Sequence, residues 1–268
     1  MKVCISEATT LPCSFAEDVH AYAGAGCNAM EVWLTKLETH LERHSVADTR
    51  KLVQDRQMTL AAAAYQGGLL LSQGEERKAH FDSLRRRLDL CQQLGIPTLI
   101  VAADFGVQVD ASTIGRAIVS LKQAAQWAAG FKVRLALEFS SATRFCASLD
   151  TAAALVAQAM ESNVGINLDV FHYYTGPSKF EDFDLVTADN LAHVQLCDVS
   201  GVPRELATDA DRVMPGDGDF KLQPIIERLR DIGYAGWVSL ELLNPVLWKS
   251  NPTQVAELGI ASLERVLR

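Results

Sequence analysis

The chain is predicted to be an α/β protein folded as one (β/α)₈ barrel domain over residues 1–268. Two observations predict it: short apolar runs rich in β-branched residues alternate eight times with longer segments of helical period. The length of 268 residues, with 49% hydrophobic content, also lies close to the ~250 residues of a typical barrel.

The strand-like runs are 3–6, 29–33, 59–63, 98–102, 133–139, 164–170, 192–197 and 237–242. Between them, apolar residues recur every three or four positions, as in 79–94 and 114–129, which marks crossover helices. Turn signals stand where each helix should hand over to the next strand: Gly24-Ala25-Gly26, Gly95-Ile96-Pro97, Ala129-Gly130 and Gly233-Tyr234. Each of these glycines can take a positive φ and end its helix. Strands separated by helices form a parallel sheet, and eight such units close on themselves. An open doubly wound sheet is the alternative, but Ser6-Glu7-Ala8-Thr9-Thr10 follows the first strand where a Gly-rich phosphate loop would be needed.

A net charge of -8 and a pI of about 5.3 leave no basic field for nucleic acid or an anionic membrane surface. No run approaches the ~20 apolar residues of a membrane span, and the start Met1-Lys2-Val3-Cys4-Ile5 is too short for a signal peptide. The six cysteines show neither a C-x-x-C pair nor a disulfide framework, so buried thiols in a reducing compartment are expected. These features point to a cytoplasmic protein. Its composition is compatible with a homo-oligomer.

Polar residues inside barrel strands carry the functional signal, because such strands are normally apolar and a buried, unpaired carboxylate is strongly disfavoured. Strand five ends in Leu137-Glu138-Phe139, strand six in Leu168-Asp169-Val170 and strand eight in Leu240-Glu241-Leu242. Strand seven carries His193-Val194-Gln195. Glu138, Asp169, Gln195 and Glu241 fall at one height near the carboxyl ends, where barrel active sites are built. Three converging acids without internal counter-charges call for a cation, and oxygen donors suit Mn²⁺ or Mg²⁺, with Co²⁺ or Zn²⁺ as alternatives. Taken singly, each of the four is equally a strand-end group paired with Lys, Arg or backbone. By strand alternation Gln195 faces the metal, and His193 lies one layer lower as a core hydrogen-bonding residue or a substrate contact.

His172, in a loop just past Asp169, is a candidate for substrate binding or proton handling. Arg212, ahead of the turn-rich Pro215-Gly216-Asp217-Gly218, either grips a substrate oxygen or pairs with Asp209 or Asp211 at the surface. Trp33, Gln66 and Trp248 are pocket candidates, and Glu31 also ends strand two. His40-Leu41-Glu42-Arg43-His44 lacks the H-E-x-x-H order and fits a surface helix instead.

Taken in order, Glu138, Asp169 with His172, His193-Val194-Gln195, Arg212 before Pro215-Gly216-Asp217-Gly218, and Glu241 resemble the xylose isomerase-like TIM-barrel superfamily of sugar phosphate isomerases and epimerases over essentially the whole chain. The resemblance implies a divalent-metal-dependent isomerase or epimerase that abstracts a proton next to a carbonyl through an enediolate. It makes Glu138 and Glu241 the acid and base and metal ligands, Asp169 a ligand, and His172 and Arg212 substrate residues. Many members have His-x-His where this chain has His193-Val194-Gln195. A glutamine ligand is a feature of some 3-dehydroshikimate dehydratases of the superfamily, so a lyase acting on 3-dehydroshikimate or an inosose is the alternative. A non-catalytic sugar-binding barrel is a more distant one. The expected partner is a small sugar or keto-polyol.

Overall fold

Each predicted apolar run forms a strand, and the strands close into a barrel. They are β1 (Lys2–Ser6), β2 (Ala29–Trp33), β3 (Thr59–Gln66), β4 (Thr98–Ala102), β5 (Arg134–Glu138), β6 (Val164–Asp169) and β7 (Leu191–Leu196). Two short strands, β8 (Asp198–Val199) and β9 (Arg212–Val213), precede the last barrel strand, β10 (Trp237–Leu240). The closed order is β1-β10-β7-β6-β5-β4-β3-β2. The structure is a computed structural model and describes residues 1–106 and 108–268. Its helices are α1 (Phe15–Gly24), α2 (Leu34–Leu41), α3 (Val46–Asp55), α4 (Gly74–Leu94), α5 (Thr113–Gly130), α6 (Leu149–Ala159), α7 (Val170–Thr175), α8 (Leu222–Asp231) and α9 (Pro252–Val266).

The chain divides into two compact units, Met1–Ala63 with Val194–Arg268, and Ala64–His193. In the first, β1 pairs in parallel with β10 (Ile5 with Leu240) and with β2 (Ser6 with Glu31), and β10 pairs with β7 (Ser239 with Gln195). Cys4, Ile5, Met30, Val32, Val194, Val238 and Leu240 are fully buried in this sheet. The helix starts follow their caps: Ser14 and Ser45 each accept a hydrogen bond in a capping box, and Asn251 caps α9 with Pro252 in its first turn. Gly259 allows α9 to approach the sheet closely, since a Cβ there would lie 2.3 Å from Leu240 Cδ2.

In the second unit β4 pairs with β5 (Ala102 with Glu138) and β5 with β6 (Glu138 with Asn167). Gly95 takes φ 73° and ends α4 as expected, but Gly130 does not: the positive φ of that turn, 59°, belongs to Lys132. Strand ends also move. Gln66 is the last residue of β3 and does not follow it, β10 stops one residue before Glu241, and His172 sits in α7 instead of a loop. The segment after β7, expected as a turn-rich loop, contains an antiparallel ribbon in which Val199 faces Arg212. Among the described residues no helix is long and apolar enough to cross a membrane.

Candidate metal centre

In the Ala64–His193 unit, Glu138, Asp169 and His172 converge, with one ligand atom from each within 4.8 Å of the others. Local folding explains the arrangement. Glu138 ends β5, and Asp169 ends β6 while capping α7, where its Oδ1 accepts the Phe171 N–H at 2.8 Å. That leaves Oδ2 toward His172, whose Nε2 stands 3.6 Å away and 3.8 Å from Glu138 Oε1. One turn of α7 places the imidazole back over the carboxylate three residues earlier. The ring's other nitrogen, Nδ1, lies 3.1 Å from Ser141 Oγ, which meets Thr175 Oγ1 at 2.8 Å, and Thr175 donates to the Phe171 carbonyl at 2.7 Å. This chain fixes the imidazole plane in the way that outer hydrogen bonds orient metal-binding or proton-transferring histidines. Two carboxylates and an imidazole, almost wholly excluded from water, are a donor set that fits a divalent cation.

In the other unit, Gln195, Glu241 and Arg212 come together with Glu31. Gln195 Nε2 donates to Glu31 Oε1 at 2.9 Å and to Glu241 Oε1 at 2.8 Å. Arg212 Nη1 donates to Glu241 Oε2 at 3.1 Å, and its Nε and Nη2 donate to Asp209 Oδ1 at 3.0 and 2.7 Å. Arg212 is 1% exposed and pairs with the half-exposed Asp209, one of the two acids weighed as its partner, and also with Glu241, which therefore does have an internal counter-charge. The β8–β9 ribbon brings Arg212 inward. Asp198 anchors the segment that follows by accepting the N–H groups of Val199, Gly216 and Phe220 at 2.9, 3.0 and 2.9 Å.

His193 is buried in β7. Gln66 is buried, donates to the Gly67 carbonyl at 2.8 Å and accepts from Arg87 at 3.1 Å. Trp33 is half-buried with its N–H on Glu7 Oε2 at 2.7 Å, and Trp248 Nε1 donates to the Ala8 carbonyl at 3.0 Å. The rings of His40 and His44 stack at 4.3 Å, with α2 ending at Leu41.

Sequence reasoning gave Glu31 no role, although it carries the same signal as the four ligand candidates, an acid near the carboxyl end of a barrel strand. It also missed a buried ionic cluster of Glu7, Asp18 and Lys36. There Lys36 pairs with Asp18, and Thr10 Oγ1 lies 2.7 Å from Asp18 Oδ1 and 2.6 Å from Tyr22 Oη. Burial, and then the neighbouring Asp18 charge, push the Glu7 carboxyl well above its usual range, while Lys36 opposes the shift.

The chain matches the model of the xylose isomerase-like TIM barrel family over residues 19–266. It is 25% identical to an inosose isomerase of Halalkalibacterium halodurans, covering 91% of this chain and 89% of that protein. It is 25% identical to a 3-dehydroshikimate dehydratase of Pseudomonas aeruginosa, covering 97% of this chain and 40% of that longer protein. Among solved structures, the IolI protein with a bound zinc atom superposes with a TM-score of 0.94 at 23% identity, covering 100% of this chain and 98% of that one. With residues 19–266 matched by the family model and its strands in closed barrel order, the chain belongs to the xylose isomerase-like TIM barrel family.

Proposed function

We propose that the chain is a divalent-metal-dependent sugar isomerase or epimerase that removes a proton next to the carbonyl of a small ketose or keto-polyol through an enediolate. The observation that carries the proposal is the convergence of Glu138, Asp169 and His172. Relatives named for isomerising or dehydrating cyclic keto-polyols support it. Both reactions begin by removing a weakly acidic C–H beside a carbonyl.

The proposed ligands are Glu138, Asp169, Gln195 and Glu241. Mn²⁺ or Mg²⁺ suits their oxygen donors, and the adjacent imidazole makes Co²⁺ or Zn²⁺ the alternatives. When bound, such an ion supplies Lewis-acid polarisation of the substrate carbonyl and hydroxyl oxygens. The protein's own groups move the proton. Glu138 accepts it and is left protonated, while Glu241, acting as the acid, gives up a proton of its own to the neighbouring carbon or the opposite face and takes a replacement from solvent; Arg212 fixes the position of the Glu241 carboxylate. His172, its ring fixed through Ser141, serves the substrate hydroxyl. Trp33, Gln66 and His193 complete the proposed pocket. Cytoplasmic location belongs to the same proposal, because the six cysteines are free and suit a reducing compartment.

A lyase is the second reading, favoured by Gln195 at the position where many members of the superfamily have a histidine. In that case His172 protonates the departing hydroxyl.

Incubation with a panel of ketoses and keto-polyols in D₂O, with and without Mn²⁺ and followed by NMR, tests both. Deuterium entering beside the carbonyl with every hydroxyl retained is the expected result, and it should cease on chelation. Loss of water selects the lyase. Binding without exchange across the panel overturns catalysis.

A further inference from the structure

Glu31 is fully buried in the middle of β2, and its carboxylate and that of Glu241 share one donor. The Gln195 amide nitrogen carries two protons, and its contacts of 2.9 Å to Glu31 Oε1 and 2.8 Å to Glu241 Oε1 use both. An amide held between two carboxylates has only one acceptable orientation. Turned over, its oxygen would meet two anionic oxygens, losing two charge-assisted hydrogen bonds and gaining two repulsive contacts in a weakly screened interior. Glu241 accepts the amide through Oε1 and meets Arg212 through Oε2 at 3.1 Å, so Glu31 supplies the second acceptor for the amide.

We infer that Glu31 is a positioning residue for Gln195, holding the amide nitrogen between the two glutamates so that the carbonyl oxygen is the atom Gln195 presents as a ligand. A neutral imidazole at this position that ligated through one nitrogen would carry a single proton for the two carboxylates. Glutamine carries two, so Glu31 and Gln195 match in donor number as well as in distance. The consequence for the metal rests on the proposed function above, whereas the orientation of the amide does not.

The test reads the two separately. In metal-free, ¹⁵N-labelled protein, the Gln195 side-chain resonances are assigned by their loss in Gln195→Leu. Both protons should be shifted downfield and protected from exchange, and Glu31→Gln should abolish the shift of one. Mn²⁺ titration of Glu31→Gln should show affinity reduced about tenfold, with a thermal midpoint close to that of the parent. The exchanged pair Glu31→Gln/Gln195→Glu, whose ligand has two equivalent oxygens and needs no orienting, should recover Mn²⁺ affinity to within about threefold of the parent. A purely structural Glu31 would not be rescued by changing the ligand. Unchanged Gln195 resonances and unchanged Mn²⁺ affinity in Glu31→Gln overturn the inference. If that variant fails to fold, two unshifted, rapidly exchanging Gln195 protons in the parent protein overturn it as well. Shifted protons in a parent protein that takes up no Mn²⁺ support the positioning and overturn the metal site alone.

Discussion

Arg212 Nη1 stands 3.1 Å from Glu241 Oε2, with side-chain exposures of 1% and 6%. A charge pair this buried adds little net stability over an apolar pair, but removing one partner strands the other in a medium that cannot solvate it. Arg212→Met should therefore cost about 3–5 kcal/mol, read as a lowered denaturation midpoint. Arg212→Lys should restore only part of it, because an ammonium cannot span Glu241 and Asp209 as the planar guanidinium does. A midpoint unchanged in Arg212→Met would mean that Glu241 is satisfied without it.

The two polar residues of β7 share one face of the strand and differ in height along it. Gln195→Ala should lower metal affinity and activity together, roughly tenfold or more. His193→Asn should keep the metal and change mainly stability. Metal content and turnover of the two variants check this, and the reverse pattern would put the imidazole in the ligand set.

The relay from Thr175 through Ser141 to His172 Nδ1 fixes a ring that the proposed chemistry uses. Ser141→Ala removes one neutral hydrogen bond, worth about 0.5–1.5 kcal/mol. It should reduce kcat by about tenfold or less with KM nearly unchanged. An unaltered kcat would confine Ser141 to packing.

Glu7 should give stability an unusual dependence on pH. Its folded-state carboxyl titrates well above the ordinary value of 4.5, so its contribution is complete below that value and is lost as pH rises through the folded pKa. Glu7→Gln keeps an acceptor for the Trp33 N–H and removes the titration. Thermal melts from pH 4 to pH 9 should show the variant gaining on the parent as pH rises. A constant difference across that range would mean that Glu7 stays ionised beside Lys36.

Apolar periodicity and length were sufficient to predict the barrel, because eight strand-like runs separated by helical segments leave few ways to cover a parallel sheet. The same pattern exposed Glu138, Asp169, Gln195 and Glu241, since a polar residue near the end of an apolar strand stands out in one dimension. Pairing is not a one-dimensional property. That His172 turns back over Asp169 follows from α7 beginning at Val170, which a single helical turn does not announce in the sequence. Glu31 joined the network only because the register of β1 with β2 and of β10 with β7 brings Ser6, Glu31, Ser239 and Gln195 into neighbouring rows. The β8–β9 ribbon decided that Arg212 is buried against Glu241 as well as paired with the half-exposed Asp209. By itself the sequence determined which residues carry charge at the strand ends. Only the tertiary structure decided which of those charges face each other, because desolvation and hydrogen-bond geometry act between residues as far apart as Glu31 and Gln195.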